Sequence, residues 1–498
     1  MARIFETMRH EKPRYSAFDK SHEKKLSCSM GELIPIYSEE IVPGDMFNVK
    51  SEVMIRFSPM VAPVMHRINV YVHYFFVPNR IIWSSWEGFI TGGKEGTTAP
   101  AFPTLSAQSA TMGAGSLGDY LGVGLGTGGS GFETDINALP FRAYQQIYND
   151  YYRDETLTTE VDYTTAGGAR TLRMRQWEKD YFTSSLPWTQ RLAGQGVPVP
   201  IQFIPTQTNA DEVWNVNVNP PVKMVGPNSL QATASGFLEG ATGNVLASID
   251  NTASLELTIN DLRQSSALQR WLEKNATGGY RYIENVLAHF GVKSSDARMQ
   301  RAEYLGGGRQ PVVVSEVLNT SATAGEAQGT MAGHGISVGM ANKMNKRFEE
   351  HGWLLGIMSV LPRTVYQNGI HRSLLKTDKH EFYWPLFANL GEQAVQNQEL
   401  FYEPGVSGQN TETFGYQQRY AEYKYGCSTV HGDFRNTLDY WTLARKFTSI
   451  PSLNNDFTES DPATRIFAVE TGDTLWCQVY NQVRCRRPMP YFARPGLR

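Results

Sequence analysis

The segment from Leu386 to Arg435 restricts what this chain can fold into more than any other stretch. It contains nine aromatic residues, yet no helical or strand period runs through most of its length. Disordered segments are poor in aromatic residues, and a compact monomer rarely contains an irregular stretch this long. A third interpretation is that neighbouring copies of the chain order the segment by packing against it. This interpretation favours an assembly protein over an enzyme.

The chain has 498 residues and a net charge of −3. Length alone would allow about three domains. No charged linker, Pro/Ser hinge or internal repeat divides the sequence, so we expect a single β scaffold with long insertions. A protein that coats nucleic acid with its whole surface is usually basic. Any contact with DNA must therefore be local, or shared with another basic protein.

The four cysteines, Cys28, Cys427, Cys477 and Cys485, lie far apart in the sequence. They form no CxxC pair and lack the spacing of metal ligands. We therefore expect reduced, buried thiols in a protein made in a reducing cytoplasm. The first residues contain no apolar run typical of a signal peptide. Because no stretch of about 18 apolar residues exists, we expect no membrane insertion.

Four apolar patterns predict strands. The residues from Val53 to Phe57 alternate between apolar and polar, and a longer alternation runs from Ile68 to Phe76. Pro78 ends the second pattern, because proline cannot donate to a ladder. The continuous apolar run from Trp353 to Leu361 predicts a strand buried on both faces. A late alternation from Leu475 to Val483 predicts another strand.

Three segments have the apolar spacing of helices, at residues 141–155, 259–272 and 282–290. Gly291 is well placed to end the last of them. The glycines between Gly113 and Gly131 predict a loop. Clear strands therefore lie early and late in the chain, with helices and irregular segments between them.

Short motifs give no support for catalysis, for a cofactor or for a metal site. GLGTGG (Gly124 to Gly129) fits GxGxxG but lacks the flanking strand and helix of a dinucleotide site. In GFITGGKE, Glu95 stands where a P-loop needs Ser or Thr. No HExxH and no GxSxG is present, and no pair of carboxylates stands out as acid and base. We therefore expect no enzyme.

The last fifteen residues are basic and aromatic. They hold five arginines and no acid, with two aromatic rings among them: Arg484, Arg486, Arg487, Tyr491, Phe492, Arg494 and Arg498. Arginine neutralises phosphate, and aromatic rings stack on unpaired bases without reading sequence. These residues are our candidates for DNA contact. The alternative is a solvated tail, or arginines that pair with a neighbouring subunit's carboxylates.

Within the segment from Leu386 to Arg435, the sequence FGYQQRYAEYKY has charged residues between aromatic residues. Tyr, Phe and Arg are enriched in the buried centres of protein interfaces. Our candidates for a contact between subunits are Phe414, Tyr416, Arg419, Tyr420, Tyr423 and Tyr425. The alternative is that some of these rings pack inside the chain itself.

Several long segments of the sequence resemble the major capsid proteins of the Microviridae, the small single-stranded DNA phages, in their gokushovirus-like form. These segments occur in the same order as in the family: VPGDMF, HYFFVPNRIIW, LPFRAYQQIYNDYYRDE, SLPWTQ, RYIENVLAHFGV, RAEYLGGGRQPV, HGWLLGIMSV, NLGEQAVQNQELFY and FGYQQRYAEYKY. The resemblance runs along almost the whole chain. It thins between Val199 and Leu257 and in the glycine-rich stretch.

This resemblance implies a mainly β fold, an eight-stranded antiparallel jelly roll with long loop insertions and a few helices. It divides the chain into an N-terminal arm (residues 1–30) and one capsid domain (31–498). That domain would contain a surface-projecting threefold insertion at about 199–257 and a basic C-terminal tail at 484–498. The arm would lie along the inner wall of the shell.

The implied function is self-assembly into a T=1 icosahedral shell around a circular single-stranded DNA genome. The inserted loop would take part in attachment to a host surface receptor. The implied partners are further copies of the chain, the genome on the inner face, a small basic DNA-binding protein, a pilot protein and an internal scaffolding protein. The protein would be assembled in the host bacterial cytoplasm and reside in the virion.

Three alternatives stay open at this point. A carbohydrate-binding or carbohydrate-active β-sandwich would use aromatics and loops for sugars, but it lacks a defensible carboxylate pair. A DNA-processing enzyme would need a metal-binding carboxylate motif, which is not visible. A jelly-roll spike or minor protein is opposed by the length of the resemblance.

Overall fold

A computed structural model describes residues 13–93, 99–106, 113–124, 135–189, 203–204, 248–249, 259–278, 282–291, 299–318, 331–340, 343–469 and 471–492. The chain divides into two compact units. The first comprises Met1–Thr189 and Lys293–Arg498, and the second comprises Gln190–Val292.

The strands, in chain order, are β1 (Ser16–Asp19), β2 (His22–Cys28), β3 (Ile34–Ile41), β4 (Met46–Phe57), β5 (Ile68–Pro78), β6 (Thr104–Ser106), β7 (Asp135–Asn137), β8 (Phe203–Ile204), β9 (Ser248–Ile249), β10 (Glu303–Pro311), β11 (Val313–Leu318), β12 (Met331–Met340), β13 (Met344–Arg347), β14 (Gly352–Pro362), β15 (Glu392–Gln396), β16 (Thr413–Gln418) and β17 (Leu475–Arg487).

The α-helices are α1 (Asn79–Ile82), α2 (Trp86–Thr91), α3 (Leu117–Leu121), α4 (Leu139–Ile147), α5 (Ala166–Arg170), α6 (Ile259–Gly278), α7 (Tyr282–Phe290), α8 (Asn397–Leu400), α9 (Ser407–Thr411) and α10 (Asn455–Thr458). A π-helical turn, Tyr148–Tyr152, continues α4. Short 3₁₀ turns occupy Arg372–Leu374, Pro385–Phe387, Ala421–Tyr423, Gly432–Arg435 and Asp439–Trp441.

Two antiparallel sheets form the body of the first unit. The larger has seven strands in the order β1-β17-β4-β12-β11, with β2 also pairing β17 and β13 also pairing β4. The smaller has four strands in the order β10-β5-β14-β3. The mainly β class with antiparallel sheets is thus confirmed, while the strands of the two sheets outnumber the eight expected.

The main hydrophobic core lies between these two sheets. On β4, every second residue from Phe47 to Phe57 is buried, and the residues between them face outward. The buried residues are Phe47, Val49, Ser51, Val53, Ile55 and Phe57. The same period of two runs along β17, where Leu475, Cys477, Val479, Val483 and Cys485 join that core. The strand predictions for these two segments are confirmed, because a pleated strand sends alternate side chains to opposite faces.

The four-stranded sheet is covered on both faces. From β5, Ile68, Val70, Val72, Tyr74 and Phe76 enter the core between the sheets. Phe75 and Val77 of the same strand join a second core with side chains of α1, α3 and α4. The prediction for Trp353 to Leu361 is confirmed, since β14 is buried on both faces. The alternation in β5 did not reveal that its second face is covered as well.

Each predicted helix is present. The stripe predicted at residues 141–155 folds as α4 and the π-helical turn, with Phe141, Tyr144 and Ile147 buried. In the second unit, α6 and α7 match the other two predictions, and His289 lies 2.6 Å from Asn275. Gly291 follows α7 with φ of +68°, the left-handed conformation of a helix C-cap.

Strand β10 escaped prediction, because its sequence contains three consecutive glycines. A bulge between Tyr304 and Gly306 shifts its register against β5, and Gly306 has φ of +112°. A Cβ on Gly307 would lie 2.4 Å from the carbonyl oxygen of Val72. Glycine is needed here because the two backbones approach too closely for a side chain.

The residues predicted to be arm and tail contribute strands to the larger sheet. In the first thirty residues, β1 and β2 both pair with β17. The predicted tail begins inside β17, which ends only at Arg487. No strand was predicted before residue 31 or after Val483, and ladder hydrogen bonds to β17 and β4 give these residues their strand structure. Most of the predicted insertion at 199–257 lies outside the described residues, and all of it falls within the second unit.

Candidate subunit and nucleic-acid interfaces

The segment from Leu386 to Arg435 shares a hydrophobic core with residues from other parts of the chain. Strands β15 and β16 pair as an antiparallel hairpin, and the side chains of Gln396 and Glu399 form a capping box on α8. The cluster beneath the hairpin comprises Tyr181, Phe182, Tyr366, Val395, Leu400, Phe414, Ala421 and Phe457. Contacts within a single chain thus give this segment much of its structure, and packing against neighbouring copies stays a prediction.

The six candidates for a subunit contact divide between core and surface. Phe414 and Tyr420 are buried, and Tyr416 and Arg419 are half-buried. Tyr423 and Tyr425 are exposed, Tyr423 to 57%. The structure thus leaves only the last two rings fully available to another molecule.

Tyr420 organises the surface around it from its buried position. Its hydroxyl donates to the carbonyl of Phe382 (3.1 Å) and accepts from the backbone N–H of Trp384 (3.3 Å). Its ring lies 5.1 Å from that of Tyr383, which in turn lies 6.2 Å from that of Tyr423. Tyr420 therefore fixes the loop that precedes the segment from Leu386 to Arg435.

That loop presents several large apolar side chains to solvent. We call the set formed by Phe382, Tyr383, Trp384, Leu386 and Tyr423 the aromatic patch. Leu386 is 83% exposed and each of the other four is more than half exposed. Monomeric proteins rarely expose contiguous apolar surface of this kind unless it binds something. Sequence reasoning missed Phe382 to Trp384, although three adjacent aromatics outside any predicted strand could have marked them.

Buried charges connect the aromatic patch to the core. The Lys376 ammonium lies 2.6 Å from the Glu422 carboxylate, and Arg372 lies 2.7 Å from Glu399. Burial raises the pKa of Glu399, an effect that Arg372 opposes. Although burial also raises the pKa of Glu422, hydrogen bonds from Lys376 and Gln393 hold it below its usual value. The Lys376–Glu422 and Arg372–Glu399 ion pairs therefore stabilise the local structure.

The candidates for DNA contact lie mostly on and just after β17. Arg487 is held by the chain itself, 3.0 Å from the Asp45 carboxylate and 3.5 Å from Glu39. Arg484 and Arg486 are exposed on the outward face of the strand. The Arg486 guanidinium lies 5.4 Å from the centre of the Tyr15 ring. Arg487 thus has intrachain partners for its charge, and Arg484 and Arg486 face solvent.

The two aromatic candidates continue this surface beyond β17. The ring of Tyr491 stacks on Phe18 at 5.5 Å, and its other neighbour is Phe492 at 4.8 Å. Tyr491 is 62% exposed and Phe492 is 80% exposed. Arg494 and Arg498 lie outside the described residues.

A surface hollow of about 550 Å³ opens beside these residues. Its lining includes Phe18, Asn48, Asn345, Arg484 and Tyr491.

In the described part of the chain, no group of three or more His, Cys, Asp or Glu side chains could hold a metal ion. The four cysteines are free. None of the helices described is long and apolar enough to cross a membrane.

Comparison with known proteins finds similar capsid proteins. A family model described as "Capsid protein (F protein)" matches residues 7–497. The capsid protein VP1 of Chlamydia phage 1 is 34% identical, over 97% of this chain and 96% of its own length. That of Bdellovibrio phage phiMH2K is 34% identical over 92% and 90%. That of Spiroplasma virus 4 is 30% identical over 96% and 94%.

Proposed function

Since this chain belongs to the capsid protein (F protein) family of the Microviridae, we propose that it forms a T=1 icosahedral shell around a circular single-stranded DNA genome. Members of this family are structural proteins of the virion and not enzymes. The function therefore lies in contacts between copies of the chain. The heterologous contacts among them must close by symmetry or continue into open polymers.

We further propose that the body of the first unit is a jelly roll. Eight of its strands cross from one sheet to the other at each step along the chain, except between β5 and β10, which pair in the same sheet: β2, β3, β4, β5, β10, β12, β14 and β17. In one sheet the order is β2-β17-β4-β12, and in the other it is β3-β14-β5-β10. This pairing supports two interlocked Greek keys, the connectivity of a jelly roll. The remaining strands of the two sheets extend the edges of this eight-stranded arrangement.

The aromatic patch is the observation that supports a contact between subunits most strongly. It combines large exposed rings with a backbone fixed by Tyr420 and by the buried Lys376–Glu422 pair. Rigid aromatic side chains bury much area on binding at little cost in entropy. Of the six candidates from the sequence, Tyr423 belongs to the aromatic patch, Tyr425 is exposed close to it in sequence, and Tyr420 supports the patch from its buried position.

The proposal is tested by changing the patch and its support separately. Leu386→Glu should leave the melting temperature of the subunit unchanged and abolish closed shells in negative-stain micrographs, because a charge would be buried in the contact. Tyr420→Ala should instead destabilise the subunit by about 3 kcal/mol, since it removes a buried ring. Met65→Glu, at an exposed apolar residue in another segment, should still form shells. Normal shells from Leu386→Glu would exclude the patch as a subunit contact.

The remaining partners follow from the family and are proposed with it. The genome would lie against the surface that carries Arg484 and Arg486, together with a small basic DNA-binding protein that offsets the net charge of −3. An internal scaffolding protein and a pilot protein would act during assembly. Residues at about 199–257 would contact the host receptor, and exchanging them for those of a relative should alter host range but not shell formation.

A further inference from the structure

The outward side chains of the seven-stranded sheet are aligned across strands at the end where the hollow lies. Register pairs Asp19 of β1 with Arg484 of β17, Arg484 with Asn48 of β4, and Asn48 with Asn345 of β13. Cross-strand neighbours have Cβ atoms about 5 Å apart. Four polar side chains therefore form one row across four strands.

The charge around this row is strongly positive. The adjacent rows place Lys50 on β4, Arg486 on β17 and Arg347 on β13 on the same face. Asp19 is the acidic member of the row, and hydrogen bonds from Ser21 hold the pKa of its carboxyl below the usual value. Its Oδ1 accepts both of these hydrogen bonds, and the four basic side chains outnumber this one carboxylate, so this end of the sheet attracts anions.

The side-chain amides of Asn48 and Asn345 can form hydrogen bonds with a ligand. In the described structure, the side-chain amides of Asn48 and Asn345 make no hydrogen bond with the protein, and both line the hollow. An amide offers a donor and an acceptor side by side, the pattern that pairs with N6 and N7 of adenine. Phosphate alone would require only the arginines, so the amides indicate a ligand with a base edge.

The hollow also has an aromatic wall. Phe18 and Tyr491 stack with an angle of 2° between their planes, and both line the hollow. Proteins that bind unpaired nucleic acid stack bases on exposed rings and contact the splayed base edges with side chains. A hollow of about 550 Å³ has room for one nucleotide.

We propose that this hollow binds one unpaired nucleotide and prefers adenine, with Asn48 and Asn345 contacting the base edge, Tyr491 contacting the base plane, and Arg484 and Arg486 contacting phosphate. The inference rests on the proposed genome contact and adds selectivity for a base to it. The binding of single strands would then have a sequence-dependent component, in addition to the salt-dependent attraction of phosphate by arginine.

The test measures fluorescence anisotropy of labelled dA12 and dT12 with the full-length protein. The wild type should bind dA12 about tenfold more tightly than dT12, the discrimination expected of a good bidentate base contact. Asn48→Ala or Asn345→Ala should reduce dA12 binding to the dT12 level while leaving dT12 binding within about twofold. Equal binding of the two oligonucleotides by the wild type, or an equal loss of both in the asparagine variants, would overturn the proposal.

Controls separate this result from misfolding and from failure of the wider function. Asn436→Ala, at an exposed asparagine elsewhere, should change neither affinity. Arg484→Gln should weaken both oligonucleotides and lower the dependence of log K on log salt by about 0.7, as expected when one phosphate contact of a single strand is lost. The asparagine variants should still form shells. If wild-type shells do not form, the capsid proposal fails while base selectivity can still be measured on the subunit.

Discussion

The ammonium of Lys376 lies 2.6 Å from the carboxylate of Glu422, and the two side chains are only 4% and 5% exposed. Lys376 precedes the aromatic patch in sequence, and Glu422 adjoins its last member, Tyr423. The same ammonium lies 4.1 Å from the centre of the Tyr423 ring. One buried ion pair therefore joins the two chain segments that present the patch.

Removing one partner of this pair should destabilise the protein. Glu422→Gln leaves the Lys376 charge buried without a counter-ion, which typically costs about 3 kcal/mol. Urea unfolding of the subunit measures the change. The matched control is Asp439→Asn in the more accessible Lys446–Asp439 pair (2.8 Å), whose side chains are 46% and 22% exposed, and where the loss should stay below about 1 kcal/mol. Similar small losses in both variants would mean that the buried pair does not hold the patch.

His73 should make the stability of the protein depend on pH. Burial, and to a lesser degree the nearby Arg175 charge, lower the pKa of His73 from 6.5 to about 4, and its Nδ1 lies 2.7 Å from the Tyr152 hydroxyl. The folded state thus favours neutral imidazole. The resulting stability is complete above pH 6.5 and is lost as the pH falls through 4, by up to about 3.4 kcal/mol at 1.36 kcal/mol per pKa unit.

Urea unfolding between pH 7 and pH 4 measures this dependence. The decline in stability should be smaller in His73→Gln than in the wild type, because glutamine does not titrate. His431→Gln, at an exposed histidine, should follow the wild-type curve. A His73→Gln curve parallel to that of the wild type would show that other groups cause the acid sensitivity.

Gly307→Ala should disturb the pairing of β10 with β5. The added methyl group would lie 2.4 Å from the Val72 carbonyl oxygen and 2.6 Å from the His73 ring. Overpacking of this kind costs about 1–3 kcal/mol, and thermal unfolding would detect it. Gly408→Ala is the control, since no atom lies within 4 Å of the added carbon there. A melting temperature unchanged by Gly307→Ala would indicate that β10 can shift away from β5.

The sequence by itself determined the β class and the main strands. The alternations in β4 and β17 and the continuous apolar run of β14 depend only on which side chains are apolar. They can therefore be recognised without knowing any partner strand. The long segments that resemble capsid proteins of the Microviridae identified the family. The residue types Arg, Tyr and Phe near the C-terminus marked the region of the hollow, although not its shape.

The tertiary structure alone decided which of these residues are available for binding. Tyr420 and Tyr423 stand three residues apart in similar sequence, yet one is 3% and the other 57% exposed. Arg484 and Arg487 belong to one basic run, but the second lies beside Asp45 and Glu39 from other strands. Asn48 and Asn345 are nearly three hundred residues apart and become neighbours only through the pairing of β4 with β13. Burial, ion pairing and strand register are properties of residues brought together from distant parts of the chain, so local patterns do not contain them.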